Sequence, residues 1–378
     1  MMQTQHQSRQ EIADFTPVLR ATMVTLADVL AARQTIQPHV WRTPLLPSPE
    51  LGRLSGGDIY LKLECWQQTG SFKVRGALNR LASLSPEERE RGIVTASAGN
   101  HGLGVACAAR TLNLPPATIF VPENASPAKV ERLKSFAGAL HRAGADYDAA
   151  HSIASACAHE QGMVYISAYD DPLVIAGQGT VGLEVMEDLP DVDLFLVPVG
   201  GGGLIAGIAV AAKTLNPAVR VIGVQPEASP AAYLSLRDGR PYETYPAAPT
   251  LCDGLAGGFG RLPFAIAADL IDSIVVVSET HVRQAVAWLL AHEQLLVEGS
   301  GAIAIAPLLT GRLDIAGQKV VAILTGRNLD AALLGEIVTE QVDGSGGKGY
   351  NRGREESMLQ TSGATPKVRD DHDPHHPL

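Results

Sequence analysis

Short β-rich runs alternate with helix-like stretches along most of this chain, and that alternation restricts its fold more than any other feature. The runs lie at residues 58–63, 93–96, 117–121, 163–166, 194–199, 220–224, 273–277 and 319–324. Helical periodicity fills most of the gaps; in residues 281–296, for example, apolar side chains are spaced along one face. Alternation of this kind predicts mostly parallel sheets covered by helices on both faces. The predicted fold class is therefore α/β, with ligands at the carboxyl ends of the strands.

The composition limits the class of protein further. The 378 residues suffice for two ordinary domains, or for one large domain with an inserted lobe. Apolar residues make up 46% of the chain and aromatic residues only 5%, a mix that suits helices lying close on a sheet. A formal net charge of -10 argues against nucleic acid or an anionic membrane as a partner. The four scattered cysteines indicate neither a zinc site nor a disulfide framework, and they fit a reducing cytoplasm.

The two ends of the chain differ in character from its middle. Residues 1–23 are polar and lack the apolar core of a signal peptide, so we expect a flexible N-terminal extension. Thr25 is a suitable N-cap for a helix over residues 26–36. Residues 342–378 are polar and charged, and they cannot bury enough apolar surface to offset their ordering entropy, which predicts a disordered tail.

Four consecutive glycines follow the β-rich run at residues 194–199. They are Gly200, Gly201, Gly202 and Gly203, and the apolar sequence resumes at Leu204. Glycines leave the backbone N–H groups bare and free to adopt positive φ, and a helix that begins near Leu204 adds its positive dipole end. The loop is therefore suited to a phosphate dianion, although its spacing matches neither the dinucleotide fingerprint nor the Walker loop. Close helix–sheet packing is the alternative explanation, but four glycines in a row exceed what packing requires.

Lys73 stands at the start of a predicted helix, after a short turn and next to Phe72. A lysine amine shielded from water can lose its proton and form a Schiff base with an aldehyde. Most lysines are solvated surface charges, so the residue alone proves little. Together with a phosphate-binding loop, however, it points to an enzyme that uses pyridoxal phosphate.

Polar residues follow two other β-rich runs. The turn after residues 93–96 is made of Ser97, Ala98, Gly99, Asn100 and His101, and its N–H groups and side chains are suited to a substrate carboxylate and a cofactor oxygen. An ordinary N-cap by the serine or the asparagine is the alternative, and the histidine is either a general base or a hydrogen-bonding fixture.

Thr325 ends the run at residues 319–324. A hydroxyl at the end of that strand can hydrogen-bond a neutral pyridine nitrogen, whereas an aspartate there would hold the nitrogen protonated. A plain turn residue is the alternative.

Four segments together resemble the motifs of the serine/threonine dehydratase family in order and spacing. They are residues 71–76 (Ser-Phe-Lys-Val-Arg-Gly), 97–101 (Ser-Ala-Gly-Asn-His), 200–204 (Gly-Gly-Gly-Gly-Leu) and 325–328 (Thr-Gly-Arg-Asn). The resemblance runs from about residue 24 to residue 341. Members are pyridoxal phosphate enzymes of the tryptophan synthase β-like fold (fold type II), with two open, twisted, mostly parallel sheets that have helices on both faces.

The resemblance implies a domain organisation and partners. A large cofactor-binding domain would comprise residues 24–90 and 168–341, and a small mobile domain would comprise residues 91–167, with the cofactor between them. A small hydroxy amino acid would be the substrate, and the protein would be a cytoplasmic homodimer.

Roles for individual residues also follow from the resemblance. Lys73 would form the Schiff base with pyridoxal 5'-phosphate and remove the substrate α-proton, and Phe72 would flank the cofactor ring. Asn100 would hydrogen-bond the ring hydroxyl, Thr325 would meet the pyridine nitrogen, and the glycine loop with Leu204 would hold the phosphate. The expected substrate-carboxylate loop consists of Ser97, Ala98, Gly99, Asn100 and His101.

Three other positions refine these expectations. Glu298 resembles an acidic position of the family near the cofactor, without a definite role. Racemases of the family carry a serine where this chain has Ala98, and alanine cannot move a proton, so racemisation is expected to be weak. Metal-dependent members have acidic residues where this chain has Gln225 and Ala231, so no divalent metal site is expected, although Glu227 lies nearby.

The reaction implied is the dehydration and deamination of L-threonine or L-serine to 2-oxobutanoate or pyruvate plus ammonia. Dehydratases for other hydroxy amino acids, of the hydroxyectoine-utilisation or 3-hydroxyaspartate type, remain an alternative. So does a β-replacement or threonine synthase-like enzyme. A more distant alternative is a catalytically silent protein that binds a phosphate ligand through the glycine loop alone.

Overall fold

The structure is a computed structural model that describes residues 24–125, 127–134, 136 and 138–342. The predicted N-terminal extension lies outside the described residues, as does the predicted tail from residue 343 onward. The first described helix begins after Thr25, as the sequence predicts. The Thr25 hydroxyl accepts a hydrogen bond from Asp28 N, and the Asp28 carboxylate accepts one from Thr25 N. This reciprocal capping box satisfies two N–H groups that the start of a helix leaves without partners.

Helices and strands alternate through the described chain. The helices are α1 Leu26–Ile36, α2 Pro49–Ser55, α3 Lys73–Ala82, α4 Pro86–Arg91, α5 Asn100–Thr111, α6 Pro127–Lys134, α7 Tyr147–Gln161, α8 Pro172–Asp188, α9 Gly203–Leu215, α10 Ala231–Asp238, α11 Arg261–Leu270, α12 Glu279–Glu293, α13 Gly299–Ala302, α14 Ala306–Leu309 and α15 Ala331–Val342. The strands are β1 Leu45–Pro47, β2 Asp58–Lys62, β3 Ile93–Ala96, β4 Thr118–Val121, β5 Ala139–Arg142, β6 Val164–Tyr165, β7 Leu194–Pro198, β8 Arg220–Pro226, β9 Ser273–Val277 and β10 Lys319–Ile323.

The strands form two sheets. The larger has six strands in the order β1-β2-β10-β7-β8-β9, and the smaller has four in the order β5-β4-β3-β6. Every pairing is parallel except that of β1 with β2, which is antiparallel. The smaller sheet is built from a single stretch of chain, residues 93–165, inserted between the strands of the larger one. The predicted α/β class with two mostly parallel sheets is confirmed.

Both faces of the larger sheet are buried, as the sequence of β7 illustrates. Successive side chains of a strand point to opposite faces. Leu194 and Leu196 accordingly belong to one apolar cluster, while Phe195 and Val197 belong to another on the opposite face, and all four are fully buried. Residues 194–212, a largely apolar stretch of the sequence, form β7, the glycine loop and most of α9. No helix in the part of the chain that the structure describes is long and apolar enough to cross a bilayer.

All eight predicted β-rich runs contain a strand, but the sequence also misses two strands and misplaces a helix end. Both missed strands lie at the edges of their sheets: β1 has only three residues, too few to show a pattern, and β5 has only two apolar residues followed by His141 and Arg142. The helix expected over residues 281–296 spans Glu279–Glu293 instead, because Gln294 takes a left-handed conformation with φ of 56° and ends it.

Candidate active site

All the residues predicted to bind the cofactor or the substrate line one cavity of about 570 Å³. They come from loops of both sheets, and most follow the carboxyl ends of parallel strands, where ligands bind in such folds. The predicted residues in its wall are Phe72, Lys73, Ser97, Ala98, Gly99, Asn100, His101, Gly200, Gly201, Gly202, Gly203, Leu204, Glu298 and Thr325. Segments far apart in the chain thus meet at a single site.

Lys73 is the first residue of α3 and reaches into this cavity. Its Nζ donates a hydrogen bond to Ala168 O over 3.1 Å and lies 5.2 Å from the centre of the Phe72 ring. Removal from water disfavours the charged amine and lowers the pKa of Lys73 from 10.5 to about 8. A substantial fraction of the amine is therefore neutral near physiological pH, the form that attacks an aldehyde or accepts a proton.

A buried ionic network holds the helix that carries Lys73. Arg75 lies two residues after Lys73 and is completely buried. Its guanidinium donates to both carboxylate oxygens of Glu64 at 2.8 Å and to both carboxylate oxygens of Glu184 at 2.7 and 3.0 Å. Lys62, also completely buried, donates to Glu184 over 2.6 Å and balances the second carboxylate. Because Glu64 follows β2 and Glu184 lies on α8, the network fixes the first turn of α3 against the larger sheet and its neighbouring helix.

The glycine loop joins the end of β7 to the first turn of α9. Gly202 is left-handed, with φ of 95°, and Gly203 begins the helix. Among the hydrogen bonds between described residues, none is donated by the backbone N–H groups of Gly200 to Gly203. Unpaired N–H groups at a helix start that lines a cavity are the arrangement that binds a phosphate.

The same glycines are also required for packing. A Cβ on Gly201 would overlap the ring of Tyr169, and one on Gly200 would lie 3.0 Å from Gly254 O. Close packing against Tyr169 and Gly254 therefore accounts for part of the run of glycines, and phosphate binding by the bare N–H groups stays a prediction.

Asn100 connects the two sheets across the cavity. Its Nδ2 donates to Glu298 Oε1 over 2.6 Å, and its Oδ1 accepts a hydrogen bond from Asn328 Nδ2. Burial, with a smaller contribution from the charge of Asp253, raises the pKa of Glu298 to about 7. The carboxyl group can therefore gain or lose a proton near neutral pH.

The turn before α5 is bound to the smaller sheet. Ser97 N donates to Phe120 O over 2.9 Å, and the Ser97 hydroxyl accepts from Gly99 N over 3.1 Å. Gly99 itself occupies the N-cap position, with no side-chain hydrogen bond to the helix. The alternative of an ordinary side-chain cap by Ser97 or Asn100 is therefore wrong, and the binding of a substrate carboxylate by this turn stays a prediction.

His101 is buried and neutral. Burial and the nearby charge of Lys73 lower the pKa of His101 to about 3. Its Nε2 lies 3.1 Å from Ile166 O, and because a carbonyl oxygen can only accept, Nε2 carries the proton and donates. Of the two explanations considered for His101, the geometry supports the hydrogen-bonding fixture.

Thr325 lies two residues beyond the end of β10 and is buried. Its hydroxyl donates to Ser300 O over 3.3 Å, and its carbonyl accepts from Phe72 N over 3.2 Å. The second bond ties the residue beside Lys73 to the end of β10. The hydroxyl bond is long, so rotating the hydroxyl proton toward a ring nitrogen costs little.

Among the residues of the cavity wall that were given no role from sequence, three make contacts that shape the site. Asn328 orients Asn100, Ser300 accepts from Gly254 N over 3.0 Å and thereby holds a turn against the glycine loop, and Tyr169 covers Gly201. Asn328 lies in the Thr-Gly-Arg-Asn segment, and Ser300 lies two residues after Glu298 in a glycine-rich segment. The sequence therefore contained a feature that could have pointed to each of these two residues. Tyr169 lies at the chain's return to the larger sheet, where no local pattern indicates contact with a loop more than thirty residues away.

Comparison with known proteins agrees with this geometry. Residues 36–326 match the model of the pyridoxal-phosphate dependent enzyme family. The chain is 44% identical over 327 residues to a protein of Thermotoga maritima named L-threonine ammonia-lyase, covering 86% of this chain and 81% of that one.

Solved structures show the same likeness. Maize serine racemase superposes with a TM-score of 0.79 at 33% identity, covering 85% of this chain and 98% of that one. The processed form of threonine deaminase isoform 2 from Solanum lycopersicum superposes with a TM-score of 0.77 at 34% identity, covering 85% and 93%.

Proposed function

Because this chain belongs to the family of pyridoxal-phosphate dependent enzymes, we propose that it is an ammonia-lyase that converts L-threonine or L-serine to 2-oxobutanoate or pyruvate plus ammonia. One observation supports the proposal above all others. A lysine whose pKa is lowered to about 8 lies in the same cavity as a helix-start glycine loop with unpaired N–H groups. The relatives named for threonine deamination give the substrate class.

The residues present fit the cofactor. The bare N–H groups of the glycine loop would hold its phosphate, and the Lys73 amine would link covalently to its aldehyde. Thr325 would meet the pyridine nitrogen, Phe72 would lie beside the ring, and Asn100 would hydrogen-bond the ring hydroxyl. When bound, pyridoxal phosphate supplies a conjugated ring that delocalises the negative charge left at the substrate Cα.

The protein's own groups then carry out proton transfer and orientation. The N–H groups at the start of α5, with the Ser97 side chain, would bind the substrate carboxylate, since a helix start favours an anion. The Lys73 amine, released from its covalent link, would remove the α-proton as a general base. Loss of the β-hydroxyl as water leaves an enamine, which takes up water to give the 2-oxo acid and ammonia. The net change is one amino acid to one 2-oxo acid and one ammonia.

Neutral partners around the ring favour elimination over other outcomes. The Thr325 hydroxyl would donate a hydrogen bond to the pyridine nitrogen without protonating it, which would favour elimination over transamination. Glu298, half protonated near neutral pH, would share a hydrogen-bond network with Asn100 at the ring hydroxyl.

We also propose a division into two domains, a homodimeric state and a cytoplasmic location. The division into residues 24–90 with 168–341 and residues 91–167 is supported by the confinement of the smaller sheet to residues 93–165. A homodimer and a cytoplasmic location are expectations from the family resemblance. Size-exclusion chromatography with light scattering tests the first, and fractionation of cells that express the tagged full chain tests the second.

Assay of the purified holoenzyme tests the activity. L-threonine, L-serine, 3-hydroxyaspartate and other hydroxy amino acids are incubated in turn, and ammonia and 2-oxo acid are measured together. Equal amounts of the two products from threonine or serine support the proposal. A cofactor-loaded protein that releases neither product from threonine or serine contradicts it, and turnover of another hydroxy amino acid alone would reassign the substrate.

A further inference from the structure

The backbone of α5 rests directly on the first peptide bond of α3, and the contact is made by a glycine. A Cβ placed on Gly104 would lie 3.1 Å from the carbonyl carbon of Lys73 and from Val74 N, and 3.2 Å from Lys73 O. Those atoms belong to a backbone and cannot rotate away. Ordinary carbon contacts are 3.5–4.0 Å, so the close approach of the two helices depends on the absence of a side chain at residue 104.

The contact lies at the active-site end of both helices. α3 begins with Lys73, and α5 begins with Asn100 at the end of the polar turn that we assign to the substrate carboxylate. Gly104 follows Asn100 by about one helical turn, a rise of roughly 6 Å. The residue that touches the backbone of Lys73 therefore belongs to the same rigid element as the residues that face the substrate.

Each side of the contact is held by its own bonds. Arg75 binds Glu64 and Glu184, so α3 is fixed to the larger sheet. The turn before α5 is bound to the smaller sheet, through Ser97 N to Phe120 O and through His101 to Ile166 O. An added methyl group at residue 104 would therefore move the two units apart rather than deform either one.

We propose, building on the elimination reaction assigned above, that Gly104 is a positioning residue that sets the distance between the Lys73 amine and the substrate-carboxylate loop. Proton abstraction needs the amine within hydrogen-bond reach of the substrate Cα. The separation of α3 and α5 determines that reach, because the amine is carried by one helix and the carboxylate anchor by the other.

A neighbouring glycine shows why the effect is specific to this position. A Cβ on Gly102 would meet Ser97 O at 2.8 Å, which is a contact within the turn itself. Gly102 therefore shapes the loop, whereas Gly104 sets where the loop stands relative to Lys73.

The test compares Gly104→Ala with Gly52→Ala in cofactor-saturated enzyme. Gly52 lies on α2, and a Cβ there would approach Gly57 O at 2.8 Å, so this control is crowded against backbone far from the cavity. The readouts are melting temperature, affinity for pyridoxal phosphate, kcat with threonine, and the rate at which the substrate α-hydrogen exchanges with D2O, followed by NMR.

Gly104→Ala is expected to remain saturable with pyridoxal phosphate, with only a small loss of affinity, because the glycine loop and Thr325 are untouched and Asn100 alone of the cofactor contacts moves with α5. Its exchange rate and kcat should fall about tenfold, since misplacement of reacting groups by 1 Å can cost about a hundredfold. Gly52→Ala should lose melting temperature but keep both rates. A Gly104→Ala enzyme that loses stability and keeps its exchange rate would overturn the proposal and leave Gly104 a packing residue.

A second variant displaces the same helix through a different neighbour. A Cβ on Gly177 of α8 would lie 2.7 Å from Gly76 Cα and 2.8 Å from Arg75 O, so it would move α3 away from α8 and change where Lys73 stands relative to α5. If Gly104→Ala does not fold, Gly177→Ala carries the test, with a reduced exchange rate expected and an unchanged one contradicting the proposal. Exchange of the α-hydrogen is measured even if no ammonia is released, so failure of the assigned elimination is distinguished from failure of the positioning role.

Discussion

Asn100 and Glu298, 198 residues apart in the chain, are joined by a hydrogen bond of 2.6 Å from the asparagine Nδ2 to the glutamate Oε1. The bond links the first residue of α5 to the residue that precedes α13. It therefore connects the substrate-side turn of the smaller sheet with the larger sheet, across the cavity where the coenzyme is expected to bind. The carboxyl group it uses has a pKa raised to about 7 by burial.

Glu298 predicts a pH dependence of stability in the cofactor-free protein. Its pKa is raised above that of the unfolded chain, so folding favours the protonated form. The stabilisation is complete below about pH 4.5 and is lost as pH rises through about 7. We expect the melting temperature of Glu298→Gln, which stays neutral, to fall less than that of the wild type between pH 5 and about pH 8. If the melting temperatures of the two proteins changed with pH in parallel over that range, the prediction would be contradicted and the pKa of Glu298 would not be raised by folding.

His101 is expected to be dispensable as a base. Its pKa of about 3 keeps the ring neutral, and its protonated nitrogen is committed to Ile166 O. His101→Gln retains a donor for that carbonyl. Its loss of activity should therefore be far smaller than the loss of roughly 10²–10⁴-fold that follows removal of a general base. The pH profile of kcat/KM measured for both proteins decides the matter. Disappearance of a basic group from the profile of the variant would restore His101 as a catalytic candidate.

Arg75 is expected to dominate the stability of the region around Lys73. Arg75→Met would remove the cation that pairs with the buried Glu64 carboxylate and would leave Lys62 as the cation paired with Glu184 in this network. Breaking a buried ion pair in this way destabilises by about 3–5 kcal/mol, measured as the change in the free energy of unfolding in urea. Arg53→Met is the control, because Arg53 pairs with Glu50 at the exposed surface and its loss should change little. If the two variants lowered the free energy of unfolding by equal amounts, the buried network would contribute no more to stability than the exposed ion pair.

Catalysis is expected to need no divalent metal, an expectation drawn from Gln225 and Ala231. The Gln225 side chain occupies its position with two hydrogen bonds, donating to Val199 O over 3.2 Å and accepting from Tyr233 N over 3.0 Å. A carboxylate could accept the second but not donate the first. Activity with threonine should be the same after exhaustive EDTA treatment and after addition of magnesium. A large stimulation by magnesium would contradict the expectation and direct attention to Glu227 nearby.

Elements with a strong local pattern were predictable from the sequence. The β-rich runs, the first described helix with its Thr25 cap, and the four-glycine loop all depend on neighbouring residues, and the structure has each of them in place. Lys73 could be singled out only in combination with the four-glycine loop and the other motifs, because a lysine at a helix start proves little by itself. The edge strands β1 and β5 escaped, because a short strand at an edge does not need a continuous apolar sequence.

Contacts between distant segments could not be predicted. Nothing near Asn100 in the sequence indicates that its partners are Glu298 and Asn328, and nothing near Arg75 points to Glu184. These pairs are created by the order of strands in the sheets, which brings separate loops to one edge. The lowered pKa of Lys73 has the same origin, since it depends on a cavity wall drawn from segments across the chain.

The central claim is a covalent link between the Lys73 amine and the aldehyde of pyridoxal phosphate. Reduction of the yellow holoenzyme with borohydride fixes such a link, and peptide mass mapping then locates it. We expect one pyridoxyl group per chain on Lys73, with neither colour nor ammonia release in Lys73→Ala. Lys129 also lines the cavity, so a reduced adduct on Lys129 with Lys73 unmodified would contradict the account.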